Sequence, residues 1–214
     1  NLIVPAWEKA TKEKTRKFWH EYFYDLIQAI DKKKHQGKAS ECWLLAAAEN
    51  NIPIVVPGHE DSTFGNIFAS HVKHGDARAD IVKSGIEYMG EFYDQYQKLA
   101  GDKKSKGVGF FQIGGGIAGD FPICVVPSLK YDMGLDNVKP WAYFCQISDS
   151  TTSYGSYSGA TPNEKITWDK LTADTPMFVI ESDATIVAPL ILSALLECKA
   201  NPKEANKLIE KYAT

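Results

Sequence analysis

Three short apolar runs, at residues 108–113, 142–147 and 177–180, each break off abruptly into glycine or polar residues. Runs this short, rich in β-branched and aromatic residues, read as strands. Their continuous rather than alternating apolarity suits strands buried on both faces, as in a parallel sheet. Helical patterns separate them, and parallel strands need such crossovers. The pattern predicts an α/β fold, a Rossmann-like doubly wound and largely parallel sheet with helices on both faces. Ligands of such sheets sit beyond the carboxyl ends of the strands.

The remaining segments are read by period. Trp19, Tyr22, Phe23, Leu26, Ile27 and Ile30 recur at three- and four-residue steps, predicting one long helix over 6–34 that ends in the solvated run Lys32-Lys33-Lys34. A second helix is expected from Ser40, as its cap, to about Asn50. A buried strand is expected at 52–57, helices over 64–73 and 80–100, an apolar helix ending near 198, and a short closing helix. The longest apolar stretch, between Asp183 and Glu197, contains Pro189 and is shorter than the ~20 residues a membrane span requires.

The 214 residues carry 24 Lys and Arg against 27 Asp and Glu, for a net charge of −3. A chain that grips nucleic acid by neutralising phosphates is normally basic, so neither nucleic acid nor membrane is expected as a partner. Cys42, Cys124, Cys145 and Cys198 are scattered without metal-ligand spacing. They are expected as free thiols in a reducing, cytoplasmic compartment, and no metal site is predicted. Residue 1 is Asn, and the expectation is a polypeptide cut, processed or split from something longer.

Four candidate strand ends carry unusual polar sequence: Asp61-Ser-Thr63, Gly114–Asp120, the loop 148–162, and Glu181–Asp183. A glycine-rich turn between strand and helix lets backbone approach a pyrophosphate, although Gly114-Gly115-Gly116 lacks the G-x-G-x-x-G spacing and serves equally as a tight turn. Asp183 can accept from ribose hydroxyls or cap the helix that begins at Ala184. The loop 148–162 is long for a structureless insert and ends in Pro162-Asn-Glu-Lys-Ile-Thr-Trp-Asp-Lys170. Lys170 is a surface lysine or one held against an apolar wall, where a neutral amine can attack a carbonyl or imine carbon. Glu164 is within plausible reach as acid, base or partner of a cation. His59 is the one histidine in a candidate site loop, and a polar loop role suits it better than catalysis.

At these residues the sequence resembles the deoxyhypusine synthase family, and most closely its bacterial deoxyhypusine synthase-like branch. The resemblance rests on Ile52-Pro-Ile-Val-Val-Pro, Asp61-Ser-Thr-Phe-Gly65, the triple glycine, Gly155-Ser-Tyr-Ser-Gly-Ala-Thr-Pro162-Asn-Glu164, Trp168-Asp-Lys170 and Asp183-Ala-Thr-Ile-Val-Ala-Pro-Leu190, and runs over nearly the whole chain. It implies that 1–214 form the C-terminal part of one NAD-binding domain. The N-terminal part would come from the same protein or from a second polypeptide, in a homo- or hetero-tetramer.

The resemblance further implies an NAD-dependent transferase that passes a 4-aminobutyl group from spermidine, through an imine on a lysine, to an acceptor amine, either a protein lysine or putrescine. Alternatives of the same fold are a homospermidine synthase-type or other amine-specific enzyme, and a non-catalytic regulatory subunit. Lys170 matches the imine-forming lysine, Trp168 the tryptophan lining the polyamine channel and Glu164 its acidic partner. Gly114, Gly115, Gly116, Asp61 and Asp183 match positions around NAD. Asp149, Ser150, Ser158 and Ala184 fall in the segments facing it, and Thr63 is placed with the substrate. The sequence departs from the family where Asp120 stands in place of the general-base histidine. It departs again where Asn66 and Tyr157 replace carboxylates that hold polyamine amines. Tyr157 can offer a cation–π wall instead.

Overall fold

The computed structural model describes residues 2–204, 206 and 207. The chain divides into two compact units, 1–95 and 96–214.

In the first unit, α1 (Val4–Glu13) and α2 (Trp19–Ala29) replace the single long helix expected over 6–34. Lys14 takes a left-handed φ of 55°, and Lys17 then pairs with Val82 in an isolated parallel bridge. The apolar recurrence from Trp19 onward belongs to α2 and its C-cap Ile30, so it carried no information about residues 6–18. Trp7, Tyr22, Phe68 and Ile81 fill that core, with the Trp7 and Phe68 rings 5.0 Å apart and the Tyr22 hydroxyl donating to the Ile81 carbonyl at 3.1 Å. Lys32, Lys33 and Lys34 form an exposed 3-10 turn capped by Asp31.

The helix expected from Ser40 begins later, as α3 (Trp43–Glu49), after a 3-10 turn at Ala39–Glu41. No strand forms at 52–57. Pro53 and Pro57 lack the N–H that a strand ladder requires, and Ile54 packs instead on Tyr24, Ala47 and Ala48. Helix α4 (Thr63–His74) starts where Ser62 Oγ accepts from Gly65 N at 3.0 Å, and it ends at Gly75. Helix α5 (Gly85–Gly101) follows.

The second unit is built on a parallel sheet in the order β1 (Gly109–Ile113), β2 (Tyr143–Ser148), β3 (Met177–Glu181). Gly109 pairs with Tyr143 and Phe144 with Met177, so the three expected strands are present to within a residue or two. Among the described residues the order does not reverse.

Between β1 and β2 run α6 (Ile117–Ile123), the single turn α7 (Val125–Pro127) and a π-turn at Ser128–Asp132. Between β2 and β3 lie the single turn α8 (Ser156–Gly159) and α9 (Pro162–Thr167), and α10 (Ala184–Ala200) follows β3. Much of the expected loop 148–162 is therefore short helical turns. Ile123, Val125, Leu129, Trp141, Phe144, Ile147 and Leu171 are almost fully buried, and Trp141 Nε1 donates to the Ile123 carbonyl at 3.2 Å. Of the closing helix, residues 202–204, 206 and 207 are helical, and the rest lies outside the described residues. No helix among the described residues is long and apolar enough to cross a membrane. The four cysteines are free, Cys145 buried and the others half-buried.

Candidate active site

Parallel pairing puts the carboxyl ends of β1, β2 and β3 along one edge, where Gly114–Gly116, Asp149 and Asp183 follow directly. A buried amide pair holds the glycine turn in place. Gln112 and Gln146 are register partners on β1 and β2, 4% and 1% exposed. Both donate to the Gly114 carbonyl, at 2.8 and 3.0 Å, and Gln146 also donates to the Ser158 carbonyl at 2.9 Å. Leaving such buried groups unpaired would cost ~1–3 kcal/mol each, so these bonds specify the turn and tie it to the 148–162 segment.

Gly115 has to be glycine. A Cβ there would lie 2.2 Å from Ser158 Oγ and 2.5 Å from its Cα. Gly114 and Gly116 have φ of 73° and 72°, and added Cβ atoms would meet open space, so their backbone is bare toward any ligand at this edge. That geometry fits the close backbone approach a dinucleotide phosphate requires.

Lys170 and Asp120 are brought together beside this turn. The lysine side chain is 6% exposed, and its Nζ lies 3.7 Å from Asp120 Oδ1 on a carboxylate that is 52% exposed. Cys124 Sγ is 3.5 Å from the same Oδ1, one turn along α6. Burial pushes the Cys124 thiol up, against the pull of Lys170, which keeps the sulfur protonated and a poor nucleophile.

Backbone and side-chain anchors fix Lys170 from both sides. Its N–H donates to the Lys165 carbonyl at 3.0 Å, and its carbonyl accepts from Trp141 N at 3.0 Å. Asp169, with φ 55°, accepts from Lys130 Nζ at 2.6 Å and from the Tyr131 hydroxyl. Lys130, followed by Tyr131, holds the Asp169 carboxyl below the usual carboxylate range.

The other predicted residues separate into groups. The Tyr157 hydroxyl donates to Gln112 Oε1 at 2.8 Å, and burial raises its phenol far above the usual value. Glu164 is half-buried, and its Oε2 is buried without a hydrogen-bond partner. Trp168 is 57% exposed at the end of α9, and Asp149 is exposed. Ser150 N donates to Ser148 Oγ at 3.1 Å.

Asp183 Oδ1 accepts from Thr185 N and Oγ1 at 2.7 and 2.6 Å, so the capping role holds and Ala184 opens α10. The Thr185 hydroxyl, then its N–H, keeps that carboxyl below the usual range. Asp61, Thr63 and Asn66 cluster at the start of α4 in the first unit, where Asn66 Nδ2 donates to the Ser62 carbonyl at 3.0 Å. His59, also in that unit, is 7% exposed, and its ring stacks on Trp19 at 3.6 Å between centroids.

Lys165 escaped the reading of the sequence. It is 0% exposed, its Nζ donates to the Ala160 carbonyl at 3.2 Å, and it lies 4.9 and 5.1 Å from the ring centroids of Tyr157 and Phe144. Burial lowers its pKa, Glu164 and Asp120 oppose that, and Lys170 reinforces it. All four charges therefore belong to one cluster. A lysine beside a glutamate ordinarily marks a solvated face, and nothing in the polar run Pro162–Thr167 marked this one otherwise.

Fold and site together define an α/β chain in which a buried lysine meets a carboxylate on the helix that opens from a bare glycine turn at the carboxyl edge of a parallel sheet. The chain belongs to the deoxyhypusine synthase family, whose model matches residues 1–195. It is 28% identical over 173 residues to a deoxyhypusine synthase-like protein of Nostoc sp., covering 79% of this chain and 44% of that one. It is 28% identical over 211 residues to a probable deoxyhypusine synthase of Sulfurisphaera tokodaii, covering 92% of this chain and 59% of that one. A probable deoxyhypusine synthase of Thermoplasma acidophilum is 28% identical over 151 residues, 70% of this chain and 43% of that one. The chain thus spans about half the length of the relatives it matches.

Proposed function

We propose that the protein containing this chain is an NAD-dependent transferase that moves a 4-aminobutyl group from a polyamine, through an imine on Lys170, to an acceptor amine on a protein lysine or a small diamine. The observation that carries this reading is Lys170, its side chain 6% exposed and its Nζ 3.7 Å from Asp120 Oδ1, beside the Gly114–Gly116 turn. NAD, when bound, supplies hydride acceptance from the carbon next to a donor nitrogen and returns the hydride at the end. Gly114, Gly115, Gly116, Ser158 and Asp149 are the residues of this chain that would hold it, with Asp61 and Asp183 assigned by the resemblance.

The chain's own groups then have separate tasks. Lys170 Nζ attacks the oxidised carbon, and the donor's remaining amine leaves. Asp120 Oδ1 takes the proton that Lys170 must lose and returns it to the departing amine, the work a histidine does in the family pattern. Asp169, clamped by Lys130 and Tyr131, fixes the backbone so that Nζ meets the carbon in a productive geometry. Glu164, whose Oε2 has no hydrogen-bond partner, is available to an ammonium of the substrate. The rest of the reading is a Rossmann-like, doubly wound subunit completed by N-terminal sequence or a second polypeptide, assembled as a tetramer in the cytoplasm.

The test uses the complete protein with NAD and either spermidine or putrescine, followed by borohydride and weighing of the peptide that contains Lys170. Either amine gives the same 4-aminobutyl increment, with 1,3-diaminopropane leaving from spermidine and ammonia from putrescine. An increment on Lys170 supports the transfer. Its absence from both amines, with NAD shown to be bound, defeats it.

A further inference from the structure

An ammonium buried within a protein is held by aromatic faces, a carbonyl that accepts its hydrogen bond and a carboxylate nearby. Beside Lys170 these groups converge: the rings of Phe144 and Tyr157, the Ala160 carbonyl, and Glu164. The occupant is the protein's own Lys165, with Nζ within 5.1 Å of both ring centroids and no exposed surface. Its ammonium has one hydrogen bond at 3.2 Å for three donors, so hydrogen bonding alone does not account for burying it.

We infer that Lys165 is a specificity-determining residue, filling with its own side chain the place of a substrate ammonium and so restricting the site to a diamine in preference to a triamine. The charge balance points the same way. Asp120 already faces Lys170, and Glu164, the other carboxylate near these lysines, shares its field with Lys165, so it can meet one substrate ammonium and not two. A diamine donor needs only its reacting end at Lys170 and one further cation site. This inference rests on the transfer reading and names its amine.

The experiment repeats the Lys170 trapping on the complete protein with NAD, comparing putrescine and spermidine. Wild-type protein is expected to form the Lys170 adduct from putrescine at least about tenfold faster than from spermidine. Lys165→Met keeps the packing and removes the charge; Lys165→Ala also opens the space. Both are expected to move the ratio about tenfold or more toward spermidine, the scale of one desolvated cation–π and ionic contact. A wild-type preference for spermidine overturns the inference without any variant, which covers the case of variants that do not fold. An unchanged ratio in folded variants also overturns it. If neither amine labels wild-type Lys170 while NAD is bound, the transfer reading is the one that fails. Calorimetric affinities of the two amines for wild-type and Lys165→Met protein then decide the inference by the same ratio.

Discussion

Lys130 Nζ sits 2.6 Å from Asp169 Oδ2, joining the π-turn after α7 to the residue just before Lys170. Asp169 holds a left-handed φ of 55°, which Asp and Asn tolerate and β-branched residues do not. Asp169→Asn is expected to leave the thermal midpoint nearly unchanged while slowing Lys170 trapping severalfold, because the turn survives and the clamp does not. Asp169→Val is expected to lose both, with a lower midpoint and trapping slowed well beyond that of Asp169→Asn. Melting curves run beside the trapping assay separate the two effects.

The contact between Lys170 and Asp120 leads to a second expectation. Asp120→Asn keeps the shape and removes the proton acceptor, so transfer should fall by about 10²–10⁴-fold while bound NAD is retained. Lys170→Ala should abolish the borohydride adduct entirely. Retention of full turnover in Asp120→Asn would show that another group moves the proton.

The glycine turn separates crowding from backbone conformation. Gly115→Ala drives a methyl to within 2.5 Å of Ser158 Cα, in a place where backbone must give way. A loss of ~1–3 kcal/mol and of NAD affinity is expected. Gly114→Ala meets open space and costs ~1–3 kcal/mol through its φ of 73° alone. Chemical denaturation of the two variants, each with an NAD titration, distinguishes them. Gly115→Ala should lose more affinity for a similar loss of stability.

The first unit carries an acid-side sensitivity. Burial lowers the pKa of His59, against Glu60, and of His20, against Glu21. The unfolded chain takes up these protons near the usual histidine value of about 6.5, the folded chain only at lower pH. Stability from both groups is therefore full above about pH 6.5 and declines as pH falls toward their folded values. The midpoint measured at about pH 5 should lie a few degrees below that at about pH 7.5, and His59→Gln should remove part of the difference. Equal pH dependence in wild type and variant would assign the effect elsewhere.

What the sequence made legible follows from how much physics acts locally. The three strands could be read because buried parallel strands are runs of apolar residues, and Phe110, Phe144 and Ile147 are such residues. On sequence grounds Lys170 was either a surface lysine or one held against an apolar wall, and the fold buries it, while Trp168 beside it is exposed. The break between α1 and α2 was missed because the apolar recurrence used for the helix begins only at Trp19, while Trp7 joins the same core from a separate helix. Residues 52–57 have the composition of a strand, and two prolines decided otherwise. Lys165 was invisible for a stronger reason. Its burial depends partly on the Phe144 ring, contributed by β2 from 21 residues away, and on short turns that fold Tyr157 and Ala160 back onto it, which no local period reports.

The two glutamines on β1 and β2 bear on how the sheet assembles. Gln112 and Gln146 reach one carbonyl, that of Gly114, only because they are register partners pointing to the same face. A slip of one residue between these strands would turn one amide to the opposite face while the other stayed put. A misaligned sheet would then bury unpaired polar groups at the very turn where ligands are expected. The pair thus acts as a register check during folding, so that a sheet zipped in the wrong alignment cannot present a finished glycine turn.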